Sequence, residues 1–143
     1  MATTYATVYG EFLAKVTDFD LADMTEASAT AIMSDLLKQA VGKFSESCKK
    51  DLYDLTEQED GWNADLSDLE IDILSELMVE AWHKPRVNNL ELYRNKLSTK
   101  DFTTFSPANL LKEVREAYEQ AHKRARSMIN EYSFRMNNIG ELK

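Results

Sequence analysis

The stretch Leu66-Ser67-Asp68-Leu69-Glu70-Ile71-Asp72-Ile73-Leu74-Ser75-Glu76-Leu77-Met78-Val79-Glu80-Ala81-Trp82 carries the strongest helix-start signal in the chain. Ser67 followed three residues later by Glu70 is a capping box. The serine hydroxyl accepts from the Glu70 amide, and the glutamate side chain reaches back to the Ser67 amide, so two donors left free by the first turn are satisfied. Leu66 and Ile71 are spaced to pack across the cap as a hydrophobic staple. Ile73, Leu74, Leu77, Met78, Ala81 and Trp82 then recur at helical spacing and form one apolar stripe. Pro85 is expected to end this helix, because the residue before a proline is pushed out of helical geometry.

Working outward, Tyr5, Val8, Tyr9, Phe12, Leu13 and Val16 predict a first short helix capped by Thr3 or Thr4 and broken at Asp18-Phe19-Asp20-Leu21. Thr25 opens a second, with Glu26 near its positive end and a stripe of Ala29, Ile32, Met33, Leu36, Leu37, Ala40, Val41 and Phe44. Asn88 or Asn89 caps a shorter helix carrying Leu90, Tyr93 and Leu97, and Phe102 and Phe105 are expected to anchor the linker that follows. Ser106-Pro107 places proline at a first helical position, where its missing N–H costs nothing. The last helix is expected to reach Tyr132 or Phe134, with Ala117, Ala121 and Ala125 allowing another helix to approach closely; its stripe is Leu110, Leu111, Val114, Tyr118, Ala121, Ala125, Met128, Ile129 and Tyr132. Residues 45–66 are the least regular part. Asp60-Gly61-Trp62-Asn63 reads as a turn, and the segment is long enough to be either partly structured or functional.

The expected fold is therefore all-α: a small bundle of about five helices over residues 1–132 with a long C-terminal helix, then an extended tail over 133–143. Only four Gly and two Pro occur in 143 residues, too few for the tight turns of an all-β or Rossmann-like chain. An apolar content of 43% against 29% charged residues fits one soluble globular domain. No run approaches the roughly 20 apolar residues that span a bilayer, and the N-terminus has neither the basic nor the apolar region of a secretory signal, so no membrane association is expected.

Tests for chemistry turn up little. Cys48 is the single cysteine, which rules out an internal disulfide and a multi-cysteine zinc site, and it is expected to be a reduced thiol. Aligning a calcium loop on Gly61 puts Ser67 where the bidentate glutamate belongs, so the acids of 51–65 read as a solvated face. His83 and His122 lie on different helices, outside any metal-binding or nucleophile motif. No catalytic residue, cofactor or metal ligand is expected, and the chain is expected to act by binding rather than as an enzyme.

The net charge of −8 hides a division: residues 1–80 carry 18 acidic and 5 basic side chains, residues 81–143 carry 7 and 12. Such a dipolar chain can attract copies of itself or bridge two partners, unless folding interleaves the charges. The basic run on the last helix, Lys123, Arg124 and Arg126, suits an acidic protein surface on a neighbouring subunit or partner. The tail combines Phe134, Met136, Ile139 and Leu142 with turn formers, a mixture suited to ordering against a partner.

Leu77-Met78-Val79-Glu80-Ala81-Trp82-His83-Lys84-Pro85, Asn88-Asn89-Leu90-Glu91-Leu92, Leu97-Ser98-Thr99-Lys100-Asp101-Phe102 and Phe105-Ser106-Pro107-Ala108-Asn109-Leu110-Leu111-Lys112-Glu113-Val114-Arg115-Glu116, in this order, resemble the head–tail connector (adaptor) proteins at the neck of tailed phages of Gram-positive bacteria. The resemblance covers roughly residues 5–135 and rests on pattern over length, not on a catalytic motif. It implies a helical adaptor docked on the portal as a homo-oligomeric ring of about twelve copies, lining a channel for passing DNA without sequence-specific binding. Other neck or tail proteins would be further partners, in a virion component made in the host cytoplasm. Because many adaptors grip the portal through the C-terminus, the resemblance implies Phe134, Arg135, Met136 and Ile139 as portal contacts. The residues alone also suggest a small acidic regulator or inhibitor that mimics nucleic acid through Asp51–Asp72.

Overall fold

The computed structural model describes residues 3–16, 25–58, 60–96 and 107–141, the last stretches of residues 89–96, 107–111 and 136–141 as backbone alone. The first segment is β1 (Thr3–Thr4) running into α1 (Tyr5–Lys15); α2 (Glu26–Phe44), β2 (Gly61–Trp62), α3 (Asp68–Lys96) and α4 (Pro107–Glu141) follow. α3 is the centre of the bundle: α4 packs along it most extensively, then α2, then α1.

The capping box forms as read. The Ser67 N–H donates to Glu70 Oε1 at 2.7 Å and the Glu70 N–H to Ser67 Oγ at 3.2 Å, while Leu66 is buried and Ile71 packs on the same core. At α2 the Ser28 N–H donates to Thr25 Oγ1 at 3.2 Å, a side-chain cap. α1 differs. Thr4 stands at its cap position without a side-chain cap bond, and Thr3 Oγ1 instead accepts from the Leu66 N–H across the fold. Val8 and Phe12 are fully buried, whereas Leu13, placed on the apolar stripe by spacing, is 46% exposed.

Two expectations about helix ends are corrected. α3 continues through Pro85 to Lys96, so the separate helix expected from Asn88 or Asn89 is the same helix; the described residues hold four helices. Proline inside a helix costs about 3 kcal/mol through one lost hydrogen bond and a steric clash. That cost falls on one exposed residue, whereas Val87 beyond it is buried. At the other end, residues 133–141 continue α4 as helix where an extended segment was expected. Nothing in Ser133–Ile139 breaks a helix, and Arg135 reaches Glu131 one turn back at 2.7 Å. The Phe102–Phe105 linker and the break at Asp18–Leu21 lie outside the described residues.

The irregular segment is partly structured. β2 pairs antiparallel with β1, Thr3 opposite Trp62 and Thr4 opposite Gly61, and Leu55 bridges to Trp62 on the other side. Gly61 is required by this close approach: a Cβ there would lie 2.8 Å from Thr4 Cα and closer still to the Thr3 carbonyl oxygen. Gly61→Ala is expected to lower stability by about 2 kcal/mol through the forced backbone shift. Urea unfolding followed by circular dichroism measures it, and an unchanged midpoint would contradict the pairing.

Candidate functional site

Apolar spacing on α3 suggests one buried stripe, yet from Ile73 to Ala81 the helix is buried almost all round, because α1, α2 and α4 cover different sides of it. Its acids are thereby buried too: Glu70 is 1% exposed, Glu76 and Glu80 5% each. A buried carboxylate without partners is prohibitively costly, so each must be met by cations from surrounding elements. Lys15 of α1 pairs with Asp72, approaches Glu76 at 3.4 Å and donates to Ser75 Oγ at 2.7 Å. Arg124 of α4 lies 3.8 Å from Glu76. Glu80 sits 3.5 Å from Lys43 of α2 and 2.7 Å from His122 Nδ1 of α4.

Glu70 anchors a second polar cluster where α4 closes on the cap of α3. Its Oε1 accepts from Lys50 Nζ at 2.6 Å and its Oε2 from Tyr132 Oη at 2.8 Å, while Tyr132 Oη accepts from the Lys49 N–H at 2.9 Å. Burial pushes the Glu70 carboxyl up, but the bonds from Lys50, the Ser67 amide and Tyr132 outweigh it, and the group stays ionised below the ordinary carboxylate range. Burial raises the Tyr132 phenol, reinforced by its hydrogen bond to Glu70. Cys48 donates to Glu70 Oε2 at 3.4 Å; burial, with the Glu70 charge beside it, raises its pKa and keeps it a thiol at neutral pH.

The three basic residues grouped by sequence are separated by helical geometry. Arg124 turns to Glu76, Lys123 is exposed, and Arg126 lines a groove between α2 and α4. That groove, about 510 Å³, is bordered by Lys43, Glu46, Glu80 and His122. Its charged lining was not legible beforehand, since it comes from three helices far apart in the chain. A smaller groove of about 230 Å³ lies between α2 and the β2 segment, lined mainly by Tyr5, Leu37, Val41, Leu52, Leu55 and Trp62. Of the C-terminal candidates, Phe134 is 68% exposed and Arg135 is exposed beside Glu131; the side chains of Met136 and Ile139 lie outside the described residues.

Among the described residues no group of three or more His, Cys, Asp or Glu side chains is placed to hold a metal ion, and no helix is long and apolar enough to cross a membrane. No family model matches the chain, and neither does any curated protein or solved structure.

Proposed function

We propose that this chain is a structural assembly component that works by gripping other protein surfaces, and that it serves as a head–tail connector docked as a ring on a phage portal, linking capsid to tail around the DNA channel. The observation that carries the binding part of this reading is the end of α4. Tyr132 is the last residue of that helix described as buried, yet the helix runs on to Glu141 and presents Phe134 at 68% exposure next to Arg135. Covering such a phenylalanine with a partner contributes about 2 kcal/mol. The connector part rests on the resemblance in order and spacing over residues 5–135.

Truncation after Tyr132 is expected to leave the bundle folded, since every buried residue described on α4 lies at or before that position. Binding to the cognate portal, measured by co-sedimentation, should fall by about tenfold or more. Unchanged binding would remove the C-terminus from the interface, and no portal binding by the full chain would sink the connector reading. A second reading, an acidic inhibitor that mimics nucleic acid, is favoured by one observation: Asp51, Asp54, Glu57, Asp60, Asp65 and Asp68 are all exposed on one segment. Competition with DNA for a DNA-binding protein would support it instead.

A further inference from the structure

Two apolar features face outward on the described residues, the groove beside Trp62 and the exposed Phe134. At about 230 Å³ the groove is smaller than the roughly 300 Å³ or more that small-molecule sites occupy, which suits it to a single inserted side chain. Its floor is the buried Leu37, Val41, Leu52 and Trp62, and its rim is Tyr5, Ser34, Leu55, the exposed Lys38 and Tyr53, which is 67% exposed. Around it the loop exposes Asp51, Asp54, Glu57 and Asp60. These four carboxylates outnumber the single Lys38 of the rim, so the occupant should be an aromatic or aliphatic side chain flanked by positive charge.

α4 supplies that combination. Phe134 is exposed and does not line the groove of its own chain. Arg135 follows it, and Lys123, also exposed, lies 11 residues earlier, which at about 100° per residue is three turns away on the same face. Arg135 is engaged with Glu131, but an exposed i, i+4 pair is weak and yields readily to a neighbour's carboxylates. We propose that the Trp62 groove of one copy receives Phe134 of a second copy, with Lys123 and Arg135 facing the acidic loop around it. The contact joins different surfaces of the two copies, so it closes as a reciprocal pair or a ring, or extends as a filament. It does not need the connector reading; because Phe134 cannot fill a second copy's groove and face a portal at once, it is a contact of free chains that portal docking would replace.

Sedimentation velocity of the full chain at low salt tests this, with Phe134→Ala and Tyr53→Lys as the two half-defective variants and Lys123→Glu as a third that touches no apolar contact. The wild type should self-associate with rising concentration, more weakly at high salt, and each variant should raise the dissociation constant by about tenfold or more while keeping wild-type circular dichroism. An equimolar mixture of Phe134→Ala and Tyr53→Lys should recover association, because one retains the groove and the other the phenylalanine. A wild type that stays monomeric up to about 1 mM, a groove serving a different protein included, would overturn the proposal, as would a mixture no better than its components. A monomer that still binds portal overturns this inference alone, whereas self-association without portal affinity overturns the connector reading alone.

Discussion

Replacing Trp62 with alanine is expected to remove about 4 kcal/mol of folding free energy. The indole is fully buried, meets Tyr5 edge-on with ring centroids 4.8 Å apart, and donates from Nε1 to the Leu52 carbonyl at 2.9 Å. Truncation leaves a cavity and strands that carbonyl, and the surroundings cannot collapse readily because β1 holds β2 on one side and the Leu55 bridge on the other. With typical domain stabilities of about 5–15 kcal/mol, the variant should be marginal at room temperature. Urea unfolding should be followed by far-ultraviolet circular dichroism, since the substitution removes one of the two tryptophans. A loss below about 1 kcal/mol would mean that the segment around Trp62 is not packed in solution.

Glu70→Ala is expected to cost about 3 kcal/mol, combining the lost cap with the desolvation of the groups that Glu70 satisfies. Lys50 is partly exposed and recovers water, so its share is small; Tyr132, fully buried, keeps its bond from the Lys49 amide but loses its acceptor. The pH dependence isolates the charge. The Glu70 carboxyl titrates lower in the folded chain than in the unfolded one, so in acid the unfolded chain binds more protons. Its stabilisation is fully present above the ordinary carboxylate range and drains away as pH falls through the folded value. Glu70→Gln should therefore be less stable than wild type at neutral pH, with the difference shrinking as the solution is acidified. A difference that stays constant with pH would show that the carboxylate charge is not what Lys50 and Tyr132 recognise.

The apolar part of the candidate interface was partly legible. The tail's apolar residues pointed to partner binding, and Phe134 is exposed, although on a helix and not on an extended segment. The polar part was not. Lys123, Arg124 and Arg126 look like one patch along the chain, but successive helical residues point about 100° apart, so the three go to open solvent, to Glu76 and to the α2–α4 groove. The division of charge between the two halves is likewise interleaved where α3 meets α4, with Arg124 of the second half beside Glu76 of the first.

From sequence alone came the helical class, the apolar stripes of α2 and α3, the capping box at Ser67–Glu70 and the Thr25 cap. These depend on residues within four positions of each other, and the helix brings such neighbours together whatever the rest of the chain does. Only the tertiary structure decided that α3 runs through Pro85, that Gly61–Trp62 pairs with Thr3–Thr4, that Leu66 bonds to a threonine 63 residues away, and that the acids of α3 are buried and paired. Each sets a local cost, a lost hydrogen bond, a closed loop or a desolvated charge, against contacts with distant segments, and periodicity along the chain carries no record of which segments those will be.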